Sequence, residues 1–154
     1  THECRCRQAQ IVKYQSRVSG PLLDRIDIQL EVPAVPAAAL QDLKPGESST
    51  AIRRRVVAAR AVQGARYRDI PGATTNADVP GRYLADVCRL SLTATERLRR
   101  TITRLGLSAR AYDRLLKVAR TSADLQRSEV IEERHIAEAV QYRTLDRKYC
   151  RATE

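Results

Sequence analysis

Residues 107–125 read LSARAYDRLLKVARTSADL, and the fold class of the chain follows from this stretch. Its apolar side chains recur at the spacing of a helix that buries one side. The inward positions are Tyr112, Leu116, Ala119 and Ala123, supported by Leu115. Ser108 is a suitable N-cap residue, and Gly106 just before it is suited to end a preceding helix. The stretch therefore predicts two consecutive helices joined at Gly106.

Helical signals continue on both sides of this stretch. Thr93 and Glu96 have the spacing of a capping box, which predicts the start of the preceding helix. Residues 51–68 predict a long helix whose apolar line includes Ile52 and Val56. The remaining predicted segments are a short helix at residues 83–90, a polar link at residues 124–129, and a last helix with Ile136, Ala139 and Val140 inward. Together these segments predict a mainly α unit of four to five helices.

The composition also favours helices over sheets. The 154 residues include no Met, Phe or Trp, and aromatic residues make up 4% of the chain. Lys and Arg number 28 against 18 Asp and Glu, which gives a net charge of +10. That balance suits a polyanionic partner, nucleic acid or nucleotide phosphate, but solvated helix faces explain it equally well because the cations are spread along the chain. Because Met is absent, we also expect the chain to be part of a longer protein.

Upstream of the helical unit, residues 19–27 read SGPLLDRID. The Gly-Pro pair predicts a turn, and the alternation of apolar and polar residues after it predicts a strand at residues 26–32. Arg25 then lies at the entry of this strand, where its side chain can reach outside its own fold. The other interpretation is that Arg25 pairs only with Asp24 or Asp27. Since a strand without neighbours is unstable, we expect residues 1 to about 33 to be poorly ordered or to pair with another copy.

The N-terminus carries Cys4 and Cys6, with His2 nearby. A structural Zn²⁺ site needs about four ligands, so this pair forms half of such a site; the other interpretation is two thiols that bind no metal. No apolar run approaches membrane-spanning length, and no signal peptide is visible. We therefore expect a cytoplasmic protein with no membrane partner.

Four segments in collinear order resemble the magnesium-chelatase-like AAA+ ATPases of the ComM/YifB group. They are CRCRQAQIVKYQSRV at residues 4–18, SGPLLDRIDIQLEVP at residues 19–33, the stretch at residues 107–125, and HIAEAVQYR at residues 135–143. The resemblance implies a helical AAA+ lid domain preceded by a helix and one strand left from the α/β ATPase core. It also implies that Arg25 is similar to the family's arginine finger and Arg110 to its sensor-2 arginine. In the family, a second cysteine pair lies upstream of Cys4.

The resemblance divides the chain into four parts. We expect residues 1–33 to be the end of the ATPase core with the arginine-finger segment, and residues 34–48 to be a linker rich in Pro and Ala. Residues 49–147 are then the helical lid, and residues 148–154 a charged tail. This division places the two family arginines in different parts of the chain.

The resemblance further implies the C-terminal portion of a homo-hexameric motor that uses ATP and Mg²⁺. Its partners would be the other subunits of the ring, the N-terminal ATPase core of the same protein, and DNA in recombination or natural transformation. Arg53, Arg54 and Arg60 are the candidate DNA contacts on the most basic helix, with a solvated helix face as the other interpretation. None of the six glycines is followed by Lys, so the phosphate-binding P-loop is absent and we do not expect this chain alone to bind or hydrolyse ATP.

Two other functions fit the same residues. One is a magnesium-chelatase subunit that drives metal insertion into a porphyrin, although the pair Cys4 and Cys6 resembles the ComM/YifB group instead. The other is a stand-alone, non-enzymatic helical module that binds nucleic acid and carries a zinc knuckle. Stoichiometric zinc, together with salt-sensitive DNA binding by the chain alone, would favour that second function.

Overall fold

The computed structural model describes residues 5–35 and 45–143, and these residues are mainly helical, as predicted. They form seven α-helices. In chain order these are α1 (Gln8–Gln15), α2 (Gly20–Leu23), α3 (Ser49–Arg66), α4 (Leu84–Val87), α5 (Leu92–Leu105), α6 (Ala109–Leu125) and α7 (Glu133–Gln141), with a 3₁₀ turn at Gly81–Tyr83. Among the described residues, β pairing is limited to one isolated parallel bridge between Leu90 and Ile131. None of the helices described is both long and apolar enough to cross a membrane.

Short polar side chains set where the three longest helices begin. Ser48, Ser91 and Ser108 each accept a hydrogen bond from the backbone N–H three residues later, at 3.3, 3.1 and 3.1 Å. Each bond satisfies an amide that has no partner inside its own helix. Ser108 is therefore the N-cap that the sequence predicts. Gly106 has φ 61° and ends α5 in the left-handed conformation, also as predicted.

The start of α5 differs from the prediction. The helix begins directly after Ser91, so the expected capping box at Thr93 and Glu96 does not form. Glu96 instead accepts hydrogen bonds from Arg99 at 3.0 Å and from Arg100 at 2.7 Å on the same helix. Because Ser91 is an equally good cap, starting there gains further helical hydrogen bonds at no cost in capping.

The core lies where α5, α6 and α7 meet. α7 packs against both α5 and α6, and α3 packs against α6. The buried side chains of this core are Tyr67, Ala73, Val79, Leu84, Cys88, Ala94, Leu98, Leu115, Leu116, Ala119, Ala123, Ile131, Ile136 and Ala139. The predicted inward side of α6 is confirmed, with only its Tyr112 left half-buried. Burial of this apolar surface is the main favourable term in the folding of such a unit.

Only the second half of α3 reaches the core. Ala59 and Gln63 are its buried residues, while Ile52 and Val56 are 43% and 45% exposed. The predicted apolar line of α3 is therefore buried at Ala59, whereas Ile52 and Val56 on the same line stay exposed. The helical spacing is correct, but the first half of α3 extends past the helices against which the second half packs. A periodic apolar pattern identifies a face of a helix and does not identify how far the neighbouring helix runs.

A buried carboxylate replaces the predicted polar link at residues 124–129. α6 continues to Leu125, and Asp124 is 3% exposed inside the unit. It accepts hydrogen bonds from Arg66 at 2.5 and 2.8 Å, from Arg120 at 3.1 Å and from Asn76 at 2.9 Å. Burial acts to raise the pKa of Asp124, but the bonds from Arg66 and Asn76 and the charge of Arg120 outweigh it and lower that pKa.

The predicted strand at residues 26–32 is not formed. No neighbouring strand is present in the described part of the chain, so the backbone there has no ladder to join. Residues 20–29, which we call the docked segment, instead lie against the helical unit. Leu23 and Gln29 are 6% exposed, and the backbone N–H of Gln29 donates to the carbonyl of Tyr142 at 2.8 Å. The docked segment is therefore packed and not poorly ordered as expected, whereas pairing with another copy stays a prediction.

Candidate functional site

Arg25 lies two residues after the end of the short helix α2. Its backbone N–H donates to the carbonyl of Leu22 at 3.0 Å, which continues the helical turn by one residue. The side chain is exposed, and its Nη1 donates to the carbonyl of Pro21 at 3.1 Å. Arg25 thus lies at the end of a helical turn and not at the entry of a strand. The exposure that the sequence predicts for its guanidinium is confirmed.

The carboxylates next to Arg25 are bound to the helical unit. Asp24 accepts a hydrogen bond from Ser108 Oγ at 3.1 Å and lies 3.4 Å from the guanidinium of Arg143. Asp27 pairs with Arg114. The interpretation that Arg25 pairs only with these two carboxylates is therefore wrong. Within the described residues, Arg25 has no carboxylate partner, so its charge is not neutralised locally.

Arg110 is the second residue of α6 and is exposed. Its guanidinium makes no hydrogen bond or ion pair with any other described residue. A cation in the first turn is unfavourable to the helix dipole, which carries partial positive charge at this end. Because no described neighbour compensates for that cost, the position fits a cation that is kept to meet an anion from outside.

A groove separates the end of the docked segment from α6. Its volume is about 500 Å³, and Arg110 lies on its wall. The charged side chains that line it are Asp27, Arg110, Asp113, Arg114, Lys117 and Glu138. The floor includes the hydroxyls of Ser122 and Tyr142, both of which hydrogen-bond to Glu138. The bond to Glu138 raises the pKa of Tyr142, so this phenol stays protonated at neutral pH.

Arg143 is a further contact between the helical unit and the docked segment. Its side chain is 1% exposed, and its Nη1 donates to the carbonyl of Ile26 at 3.3 Å. In the sequence, Arg143 falls on the same side of the last helix as Ile136 and Ala139. The signal was an arginine in line with Ile136 and Ala139, because a cation at an inward position needs a buried partner.

The predicted DNA contacts lie on the exposed part of α3. Arg53, Arg54 and Arg60 are exposed and make no ion pair with another described residue. Arg53 and Arg60 are two turns apart on one face of the helix, with Arg54 beside them. By contrast, Arg55 forms a bidentate pair with Glu47 at 2.6 and 2.9 Å.

The structure bears only partly on the predicted metal ligands. Cys4 lies outside the described residues, and Cys6 is exposed. Within the described ranges, residues 5–35 and 45–143, no group of three or more metal-binding side chains is present. His135 is fully buried at the start of α7, where its Nδ1 accepts a hydrogen bond from the backbone of Glu132 at 2.9 Å. Its burial and this bond give His135 a structural role at the start of α7.

Comparison with known proteins covers nearly the whole chain. The protein-family model described as "Magnesium chelatase, subunit ChlI C-terminal" matches residues 46–143, and that described as "Magnesium chelatase, subunit ChlI" matches residues 1–40. The chain is 42% identical over 144 residues to "Uncharacterized protein YifB" of Escherichia coli K12, covering 93% of the chain and 28% of that protein. It is 40% identical over 148 residues to "Competence protein ComM" of Haemophilus influenzae, covering 96% and 28%.

A more distant relative is "Uncharacterized protein Rv2897c" of Mycobacterium tuberculosis. The identity is 39% over 123 residues, which is 80% of the chain and 24% of that protein. The chain thus spans about a quarter of the length of the relatives it matches.

Proposed function

We propose that this chain, which belongs to the ComM/YifB family of magnesium-chelatase-like proteins, is the C-terminal lid portion of a hexameric AAA+ ATPase. In this proposal Arg25 is the arginine finger that acts on a neighbouring subunit's nucleotide. Arg110 is the sensor-2 arginine that contacts nucleotide from the lid. The observation that carries the proposal is that both arginines are exposed without a carboxylate partner among the described residues. In addition, their two segments are in direct contact.

The chemistry of phosphoryl transfer explains why such arginines are needed. The transition state spreads negative charge over the transferred phosphoryl group, and a guanidinium inserted from outside the primary site stabilises that charge. The contribution of such a finger is about 10³–10⁵ in rate. Both guanidinium groups have N–H donors that are not used by other described residues and can bind the anionic phosphates of ATP. Arg25 uses one donor, to the carbonyl of Pro21, and Arg110 uses none within the described residues.

The proposal assigns the remaining parts of the reaction to other segments. Mg²⁺ requires carboxylate, hydroxyl or water oxygens, and the described residues hold no cluster of three or more metal-binding side chains. The ATP and Mg²⁺ ligands therefore come from the ATPase core, which is the first partner of this chain. The other partners are the neighbouring subunits of a homo-hexameric ring in the cytoplasm. Zn²⁺ at Cys4 and Cys6 would need two further ligands from elsewhere.

We further propose that the motor acts on DNA, as a branch-migration or helicase enzyme in recombination or natural transformation. The relative from Haemophilus influenzae carries the name competence protein. On this chain, the supporting observation is the exposed row of Arg53, Arg54 and Arg60 on α3. Their charges are available to a polyanion, whereas Arg55 and Arg66 are committed to carboxylates within the fold.

The ATPase assignment is tested by Arg25→Ala in the full-length protein that carries this chain. We expect turnover to fall about 10³-fold or more, with the dissociation constant for ATP unchanged, because the finger contributes to the transition state and not to ground-state binding. Arg104→Ala is the matched control, since Arg104 is also an exposed arginine but lies at the end of α5. Normal turnover by the Arg25 variant would sink the assignment.

Mixed rings test whether Arg25 acts on a neighbouring subunit. Subunits with Arg25→Ala are combined with subunits whose own P-loop is inactivated, so that neither type hydrolyses ATP alone. If the finger acts across the interface, an active P-loop meets an intact finger at some interfaces, and turnover returns in the mixture. A finger that acts within its own subunit leaves the mixture as inactive as its components.

A further inference from the structure

We infer that Ser108 is a positioning residue that couples Arg110 to Arg25, so that the sensor and the finger move as one unit. The inference rests on the roles proposed above for the two arginines. It concerns the contacts between the docked segment and the helical unit, which join residues more than 80 positions apart in the chain. These contacts involve Ser108, Asp24 and Arg143.

The hydroxyl of Ser108 makes two hydrogen bonds with different consequences. As an acceptor, it binds the backbone N–H of Ala111 at 3.1 Å and thereby caps the helix turn that carries Arg110. As a donor, it binds Asp24 Oδ2 at 3.1 Å. A hydroxyl has one proton and two lone pairs, so both bonds form at once. One side chain therefore links the first turn of α6 to the residue that precedes Arg25.

Arg143 binds the same backbone region through a second pair of contacts. Its guanidinium lies 3.4 Å from Asp24 Oδ1 and donates to the carbonyl of Ile26 at 3.3 Å. Asp24 and Ile26 are the residues immediately before and after Arg25. The backbone of Arg25 is thus held on both flanks, while its side chain stays exposed. A side chain that projects from a fixed backbone is aimed and loses less entropy when it binds its target.

The arrangement has a mechanical consequence. A nucleotide that binds Arg110 and moves its side chain displaces the first turn of α6. Ser108 transmits that displacement to Asp24 and the backbone of Arg25. The pair of Asp27 with Arg114, one turn further along α6, reinforces the link. Finger position then follows nucleotide state through hydrogen bonds within one protomer.

Hydrogen exchange of this chain tests the link without reference to catalysis. The variant is Ser108→Ala, and the matched control is Ser91→Ala, because Ser91 caps α5 at the same 3.1 Å but does not touch the docked segment. Loss of one hydrogen bond to a charged group corresponds to about a tenfold change in local opening. We expect about tenfold faster exchange at the amides of Arg25 and Ile26 in the Ser108 variant, and no change there in the control.

Conservative rescue tests whether the hydroxyl at position 108 is the group that holds the docked segment. Thr also caps helices and has a hydroxyl proton, so Ser108→Thr should restore slow exchange. In the full-length ATPase, we expect Ser108→Ala to lower kcat about tenfold with KM for ATP little changed, and Ser108→Thr to recover it. Ser91→Ala should leave both constants unaltered.

The outcomes distinguish this inference from the proposed function. Equal exchange at Arg25 in the Ser108 and Ser91 variants overturns the link itself. Faster exchange in the Ser108 variant, combined with normal turnover by Arg25→Ala, overturns the catalytic role of Arg25 and with it the coupling. Faster exchange together with a reduced kcat that Thr restores supports both.

Discussion

His135 is fully buried at the start of α7, and its two ring nitrogens have different partners. Nδ1 accepts from the backbone N–H of Glu132 at 2.9 Å, and Nε2 lies 3.1 Å from Oε1 of Gln126. In a neutral ring, the bond that Nδ1 accepts places the proton on Nε2, which also lies 3.3 Å from Nε of Arg134. Burial and the charge of Arg134 lower the pKa of His135 below its ordinary value of 6.5, and Arg120 acts in the same direction. The nearby carboxylates Glu132 and Glu138 oppose this shift without reversing it.

The stability of the chain should therefore depend on pH through His135. As the pH falls below about 6.5, the unfolded state takes up a proton before the folded state does, so the free energy of unfolding decreases. This contribution is present above the unfolded pKa and is lost as the pH falls through the folded pKa. His135→Gln removes the titration but keeps an acceptor for Glu132, as in a capping box. We expect urea unfolding between pH 8 and pH 5 to show a steeper loss for the natural chain than for the variant. Parallel curves would contradict the prediction.

Asp124 shows at the same scale what a sequence pattern misses. Its position at the end of an amphipathic stretch predicts a solvated link, because single acidic residues are seldom buried. In the structure Asp124 is surrounded by the guanidinium groups of Arg66 and Arg120, and the first of these comes from another helix. An isolated acid has no place in a core, whereas a paired one does. The partner on α3 lies 58 positions away, so no local pattern reveals it.

At the scale of elements, two glycines with opposite backbone geometry make a matched pair. Gly106 has φ 61° at the end of α5, and Gly64 lies inside α3. A Cβ at either position meets no other atom within 4 Å, so any effect of substitution is conformational and not steric. We expect Gly106→Ala to destabilise the chain by about 1 kcal/mol because Ala disfavours the left-handed region.

Gly64→Ala should have the opposite effect. Ala loses less backbone entropy than Gly in a helix, so we expect a gain of about 0.5–1 kcal/mol in the free energy of unfolding. Urea unfolding of both variants under one set of conditions gives the comparison. If Gly106→Ala stabilises the chain as Gly64→Ala does, then Gly106 does not set the end of α5 in the way described.

Helices were predictable because their determinants are local. Ser108 and Gly106 act within one turn of themselves, and the structure confirms both roles. Ser91 and Thr93 are both suitable N-caps for α5. The structure uses Ser91, because the helix that starts there is longer. The strand at residues 26–32 failed for the opposite reason, since an alternating pattern becomes a strand only when a neighbour supplies hydrogen bonds.

At the scale of the whole molecule, the sequence singled out Arg25 and Arg110 as candidates but did not predict the contact between their segments. The resemblance assigned each arginine a role separately, and the predicted division placed them in different parts of the chain. The contact between their segments depends on Asp24, which binds Ser108 and Arg143. These two partners lie 84 and 119 positions from Asp24 in the sequence. Such contacts follow from packing of the entire unit, which no periodicity in the sequence encodes.

Net charge also belongs to this scale, and it raises the question of whether DNA binding reflects total charge or one surface. Two triple variants of this chain separate these explanations, because each removes three arginines from a net charge of +10. The first changes Arg53, Arg54 and Arg60 to Ala, on the exposed face of α3. The second changes Arg97, Arg99 and Arg100 to Ala, on α5, where each arginine pairs with a glutamate.

Binding is measured with branched and linear duplex DNA over a range of salt concentrations. A phosphate contact contributes about one to the slope of log K against log salt, so loss of three contacts should reduce that slope by about three. We expect this reduction for the α3 triple and a much smaller one for the α5 triple, whose guanidinium groups are already paired. Equal reductions would mean that total charge governs binding. Absence of binding by the natural chain would remove α3 as a DNA surface.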